Sequence, residues 1–268
     1  MASIPTPVTF RVQAVGGKFL ADDIGGARVT LRDAATGAFL DSGITRGNSG
    51  SLIGPAPSSP PSVATAKQIA IASKNLIALA DGSAFWWLVP DSGSSAYSYT
   101  FQLAEPKAIE VTVEGPIGGL QSATTVRETI WVSPGQPVPA LPGLVIQLPG
   151  LLVNPLSPAI HSQVAPGVGV GFAAKVTMMC GCQVAAGLSY WPESDFVVQA
   201  QVQQIGGPQG TTVNMSLSKK VPSVFESDYF FLVPSTGSGT TFYQATITAW
   251  QKSTGNTGSA VVNFFCIY

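Results

Sequence analysis

Ala27-Arg-Val-Thr-Leu-Arg-Asp33 alternates strictly between apolar and polar residues. Ala27, Val29 and Leu31 fall on one side of an extended chain, and Arg28, Thr30 and Arg32 on the other. That period of two marks a strand with one face in a core and one in water. Thr36-Gly37 supplies a turn, and Ala38-Phe-Leu-Asp-Ser42 begins a return strand, so the whole reads as a β-hairpin.

The same pattern recurs on both sides. Upstream, residues 8–15 (Val-Thr-Phe-Arg-Val-Gln-Ala-Val) alternate until Gly16-Gly17 breaks the run. Downstream, Phe85-Trp-Trp-Leu-Val89, Tyr97 to Leu103, Ala108 to Val113 and Thr124 to Val132 each read as strands. Val63 to Ala80 fits a short helix face or two strands; its β surroundings favour strands. Gln136 to Pro158 is rich in Pro, Gly, Leu and Val, too apolar for a free linker, and predicts a segment that packs at a domain junction. Beyond it come Val168 to Phe172, a central strand 174–180, Asp195 to Val202, Thr211 to Leu217 and Val221 to Phe225. Thr240 to Trp250, with Phe242, Ala245, Ile247 and Ala249 as its apolar positions, the turn Thr254-Gly-Asn-Thr-Gly258 and Ser259 to Ile267 complete the chain. Short strands at this spacing predict all-β sandwiches.

Composition agrees. The 268 residues suggest about two domains, and 29 Gly and 21 Pro suit many turns. Only 10% of residues are charged, with a net charge of −1, against about 25% charged in a typical soluble domain. Such a surface lacks the usual protection against association. The 13 Lys and Arg are scattered, with only Lys219-Lys220 adjacent, so the footprint of a nucleic-acid-binding protein is missing. Leu141 to Ile160 comes nearest to a membrane span, but prolines at 139, 142, 149, 155 and 158 exclude a transmembrane helix there. Met-Ala-Ser-Ile-Pro at the start has neither a basic nor an apolar signal region. The chain is therefore either cytoplasmic or one that begins after a removed signal, and the reading adopted is extracellular or periplasmic.

Two resemblances follow. Ile24, Ala27, Val29, Leu31, Asp33, Thr36-Gly37, Leu40, Ser42-Gly43, Thr45 and Gly50 resemble the start of a carboxypeptidase-regulatory-like domain. That family implies a transthyretin-like β-sandwich, usually non-catalytic. The chain departs from it at Gly54-Pro-Ala-Pro-Ser-Ser-Pro-Pro-Ser62, where the family continues straight into its next strand. Residues 165–268 resemble a bacterial immunoglobulin-like domain, through Phe-Tyr-Gln-Ala, Ser-Thr-Gly-Asn-Thr-Gly and Val-Val-Asn-Phe near the end. Tyr243 would then take a tyrosine-corner role, although Ala245 stands where antibody domains carry a cysteine. The expected organisation is a carboxypeptidase-regulatory-like sandwich over 1–135, a Pro/Gly-rich junction over 136–164 and an immunoglobulin-like sandwich over 165–268.

Soft ligands cluster in one place, Lys175-Val-Thr-Met-Met-Cys-Gly-Cys-Gln-Val184. Read as a strand, it puts Met178, Cys180 and Cys182 on one face. These are core residues, a Cu or Zn site, or a disulfide among Cys180, Cys182 and Cys266. In a straight strand the two nearer cysteines would be about 6.6 Å apart, at the limit for a bridge, and Gly181 would permit a shortening bend. His161, the single histidine, must serve any Ser-His-Asp device, but no nucleophile elbow accompanies it. Asp22-Asp23 and Asp41 lack calcium-loop spacing and read as solvated turns. Trp86-Trp87, Tyr97 and Tyr99 would make a sugar platform only if they shared a face, which adjacent strand residues do not. No catalytic residue and no cofactor is expected.

The resulting reading is a non-catalytic structural or adhesive protein of the cell surface or a secreted oligomer. Its alternatives are a soft-metal accessory protein and a non-catalytic subunit of an enzyme complex with a protein partner. The N-terminal run Ile4 to Val15, whose one charge is Arg11, either adds as a strand to a neighbouring copy through Ile4, Val8, Phe10 and Val12, or forms the first strand of its own sandwich.

Overall fold

The computed structural model describes residues 2–56, 76–78, 85–188, 190–207 and 210–268, with the backbone alone described at 53–56, 76–78, 85–87 and 120. The described chain is all-β: extended segments joined by turns and three short 3-10 helices. It forms two compact units, Met1–Pro149 with Met179–Cys182, and Gly150–Met178 with Gln183–Tyr268. The Pro/Ser-rich loop 57–62 and most of the ambiguous 63–80 stretch lie outside the described residues; of the latter, Leu76–Ala78 is a strand.

The first unit contains three sheets. In one, Phe39–Ile44, Arg28–Asp33, Lys107–Gly115 and Thr124–Val132 follow one another, all antiparallel. In the second, Ile4–Ala14 lies between Tyr97–Leu103, antiparallel, and Leu144–Leu148, parallel. The third is Ser51–Ala56, Phe85–Val89 and Leu76–Ala78. Alternation in the sequence translates directly into burial: Val29, Leu31, Ile109, Val111 and Val113 are buried, while Arg28 and Arg32 are exposed. Each fully buried residue of this size contributes about 1.5–3 kcal/mol.

The hairpin read first is present, pairing Arg28 with Ile44 and Thr30 with Ser42. Its turn is organised by Asp33. The carboxylate accepts the backbone N–H groups of Ala35 (2.9 Å) and Thr36 (3.1 Å) and meets Lys107 Nζ at 2.6 Å. The Lys107 hydrogen bond, with those two backbone N–H groups, holds the Asp33 carboxyl down at about 2, below the ordinary value of about 3.9. A depressed carboxyl stabilises the fold above its unfolded pKa and loses that contribution as pH falls through the folded one. Thermal unfolding of the wild type should therefore lose an increment between about pH 4 and pH 2 that Asp33→Asn lacks. Parallel acid curves for the two proteins would refute this assignment.

The second unit is dominated by one eight-stranded sheet. Its order is Leu151–Ser157, Ala173–Met178, Val224–Ser227, Thr211–Leu217, Phe196–Gln204, Thr240–Gln251, Thr257–Ile267 and Ser162–Val164. The last pairing is parallel and the rest antiparallel. The sheet curls over on itself: Leu151–Ser157, one edge strand, lies against Thr257–Ile267 near the other edge. The approach is so close that a Cβ added to Gly258 would fall 2.2 Å from the Leu151 carbonyl oxygen. Residues of the Pro/Gly-rich stretch thus supply strands to both units, Leu144–Leu148 to the first and Leu151–Ser157 and Ser162–Val164 to the second.

One inward position differs from expectation. Phe242 shares its side of the strand with Trp250 and is 53% exposed, whereas Tyr243 points into the core beside Ala245, Ile247 and Ala249. Tyr243 stacks on Phe264 at 5.2 Å, and its hydroxyl meets that of Tyr268 at 3.3 Å.

Candidate functional site

Strand Ala173–Met178 stops before the cysteines. The expected straight run 174–180 is replaced by a reversal: Met179 and Cys180 turn, and Gln183 bridges back to Thr177. Cys180-Gly-Cys182 therefore occupies a hairpin tip, and the alternation that put Met178, Cys180 and Cys182 on one face does not extend across it. Gly181 has φ 75°, a left-handed conformation that glycine adopts without penalty. A Cβ there would also come within 2.6 Å of Ile24 Cγ2.

All three cysteines are free thiols. Cys180 is buried and Cys182 half-buried, while Cys266 is buried in the second unit on strand Thr257–Ile267, opposite Thr241. The Cys182 thiol donates to the Cys180 carbonyl oxygen at 3.9 Å, and Cys182 with the backbone N–H groups of Lys18, Cys182 and Cys180 favours the Cys180 thiolate. Burial opposes ionisation of Cys180, but these donors outweigh it and lower its pKa. The hydrogen bond with Cys180, then burial, raises that of Cys182. The Lys18 turn is itself held in place: Lys18 O accepts Ala14 N–H at 2.9 Å, and the buried Gln13 side chain donates to Gly17 O at 3.0 Å. Among the described residues, no three His, Cys, Asp or Glu side chains gather as a metal site would need.

The N-terminal strand sits inside its own sheet. Val8, Phe10 and Val12 are completely buried, and only Ile4 of the four proposed contact residues is exposed. Ile4–Phe10 is paired on one edge with Tyr97–Leu103, and Phe10–Ala14 on the other with Leu144–Leu148, so the strand is built into its own sheet. His161 lies exposed in a turn at φ 57°, with its backbone N–H on Asn263 O. Asp22 accepts Gly47 N–H and pairs with Arg46 at 3.5 Å, and Asp41 accepts the Tyr97 hydroxyl at 2.5 Å. Tyr97 stacks beside Phe10, and Tyr99 packs edge-on to Phe101. The side chains of Trp86 and Trp87 lie outside the described residues.

A different surface stands out in the second unit. Four adjacent strands, Thr211–Leu217, Phe196–Gln204, Thr240–Gln251 and Thr257–Ile267, carry no charged residue. Their outward positions form cross-strand rows: Asn214, Gln199, Thr248 and Ser259; then Thr212, Gln201, Thr246 and Val261. Gln199 Nε2 donates to Asn214 Oδ1 at 3.1 Å. Phe242 and the 46% exposed Trp250 stand toward opposite ends of this face.

No family model matches this chain. No curated protein matches it either. Similar solved structures include a chimeric titin Z1Z2-Z1Z2 tandem functionalized with a GRGDS exogenous peptide from fibronectin, at 11% identity over all of this chain and 96% of that one, with a TM-score of 0.23. The N-terminal four Ig domains of Dscam1 isoform 6.44 are 11% identical, with 100% of this chain and 52% of that chain covered and a TM-score of 0.23. Zebrafish RET cadherin-like domains 1 to 4 are 12% identical over 67% and 38% of the two chains, with a TM-score of 0.20. This chain thus spans about half of the Dscam1 structure. At these TM-scores the likenesses support no conclusion about this chain, and neither family resemblance drawn from the sequence gains a match. Among the described residues no helix is long and apolar enough to cross a membrane.

Two buried charged residues that gather several hydrogen bonds carry no motif. Arg11 is 2% exposed. Its guanidinium donates to five backbone carbonyls, those of Pro142, Ser94, Ser95, Asp91 and Ala140, and lies over the Phe19 ring. Asp195, also buried, accepts Gln251 Nε2 (2.9 Å), Ser253 N–H (3.0 Å) and Ser253 Oγ (2.6 Å). The one sequence signal for Arg11 was its isolation as a charge inside an apolar run.

Proposed function

We propose that this chain is a structural or adhesive β protein that associates with further copies of itself through the charge-free sheet face of its second unit, and that it performs no catalytic step. The observation that carries the reading is that face: rows of Asn, Gln, Thr and Ser with Phe242 and Trp250, spanning four strands without a Lys, Arg, Asp or Glu. Monomeric β proteins commonly use charge to discourage association between sheets. Uncharged amide and hydroxyl rows lose little on desolvation when a second copy supplies matching donors and acceptors, and exposed aromatics add apolar area at the contact. The surface contact sought here differs from strand addition by Ile4–Ala14, which is built into its own sheet. A location outside the cytoplasm belongs to the same reading and is supported by the charge-poor, Gly- and Pro-rich composition; fractionation of source cells tests it.

Light scattering over a concentration series tests the association. The wild-type mass should rise toward at least twice 27.6 kDa with concentration. Gln201→Lys combined with Thr246→Lys, which places two like charges opposite one another at the centre of the face, should hold the chain monomeric and shift the midpoint at least tenfold. A wild type that stays monomeric into the high micromolar range overturns the proposal, as does a double variant that associates unchanged.

A further inference from the structure

The geometry points to a redox-active dithiol at the hairpin tip Cys180-Gly181-Cys182, able to close an intraloop disulfide by exchange with a small-molecule disulfide. Several features converge there. Cys182 Sγ lies 3.9 Å from the Cys180 carbonyl oxygen, so the second cysteine folds back over the first. The reversal at Gly181, with φ 75°, removes the extended separation that a straight strand would impose. A Cβ at Gly17 would lie only 3.2 Å from Cys180 Sγ, so the sulfur is packed against backbone that cannot accept a side chain. Cys182 is the half-exposed member and Cys180 the enclosed one, a division expected of an entry thiol and a resolving thiol.

The chemistry balances. Cys182, the accessible thiol, first gives up its proton to a base in solution and becomes the nucleophile. Cys182 Sγ attacks one sulfur of the small disulfide R–S–S–R, forming a protein–S–S–R bond and expelling RS⁻. Cys180 then gives up its proton to the released RS⁻, and its thiolate attacks Cys182 Sγ. That closes the Cys180–Cys182 bond and expels the second RS⁻. Two protein thiols are oxidised, one disulfide is reduced, and the two protons leave on two RSH molecules. A one-residue spacer closes a tight ring, and strained disulfides are the readily reduced ones, so the bond should form reversibly.

The site is independent of the self-association proposed above, and the test separates them. The full-length reduced chain is incubated with excess oxidised glutathione, then alkylated under denaturing conditions and weighed by mass spectrometry. Two of the three thiols should be lost, with the bond mapped to the peptide joining Cys180 and Cys182, Cys266 still alkylated, and full recovery on adding dithiothreitol. Cys266→Ser should close the bond as the wild type does. Cys182→Ser should keep Cys180 reduced, which separates exchange chemistry from a merely packed cysteine. Retention of all three thiols, a glutathione adduct that never resolves, or a bond formed between two copies would each overturn the proposal.

Discussion

Replacing Arg11 with Met should lower the stability of the full chain by about 3–5 kcal/mol, the magnitude for breaking a buried charged network. The guanidinium is enclosed and is hydrogen-bonded to carbonyls from two separate segments, Asp91, Ser94 and Ser95 on one side and Ala140 and Pro142 on the other. Burial lowers the Arg11 pKa while the Asp91 charge raises it, so the ion is held mainly by backbone dipoles. Met fills much of the volume but donates nothing, and each enclosed carbonyl left without a donor costs about 1–3 kcal/mol. Arg11→Lys should recover little, because a compact ammonium with three donors cannot span the five carbonyls of a planar fork. At roughly 2–4 °C per kcal/mol for a chain near this size, the melting temperature should fall by about 10 °C. Calorimetry of the full chain measures it. A Met variant within about 1 kcal/mol of wild type would show that water replaces the guanidinium without loss.

Asp195→Ala should cost about 2–4 kcal/mol, on the scale of stranding several donors that had faced a buried carboxylate. Asp195 sits at the end of the 3-10 helix Glu193–Asp195 and holds the loop that closes the long hairpin Thr240–Gln251/Thr257–Ile267. The network continues past it. Gln251 Oε1 accepts Thr254 Oγ1 at 2.7 Å and Asn256 Nδ2 at 3.2 Å, while Asn256 Oδ1 accepts Gly150 N–H at 3.1 Å. Alanine removes the acceptor on which Gln251 Nε2 and Ser253 converge, and loosening one member of such a network weakens its neighbours. Hydrogen exchange should therefore accelerate at Ser253, whose N–H bonds the carboxylate. It should change much less at Lys252, whose N–H is taken by the Asp195 backbone carbonyl instead. Equal acceleration at both positions would mean that the loop melts as a whole and that the carboxylate is not its anchor.

The contrast between these residues and the hairpin read first marks what a period of two can determine. Alternation reports which side chains face inward, because successive Cβ atoms of any strand point to opposite faces whatever the strand's neighbours. So Ala27 to Asp33, Tyr97 to Leu103, Thr124 to Val132 and Thr211 to Leu217 were legible as strands, and the all-β class with them. Charge scarcity, a property of composition alone, was equally legible. Alternation is silent about partners. That Leu144–Leu148 pairs in parallel with Ile4–Ala14, burying Val8, Phe10 and Val12, depends on contacts more than 100 residues apart in sequence. In the segment Thr240–Gln251 the sequence reading put Phe242 among the inward apolar positions, whereas packing of Tyr243 on Phe264 turns Tyr243 inward and leaves Phe242 exposed. The cysteine stretch shows the same division most sharply. Its residues 175–184 have the composition of a strand, yet the chain reverses at Met179–Cys182, because the backbone there is satisfied by the Thr177–Gln183 bridge and by the turn around Gly181. That the Cys182 thiol folds back onto the Cys180 carbonyl across one glycine, and that an isolated arginine collects five carbonyls, follow from where the backbone is brought, which tertiary structure alone decides.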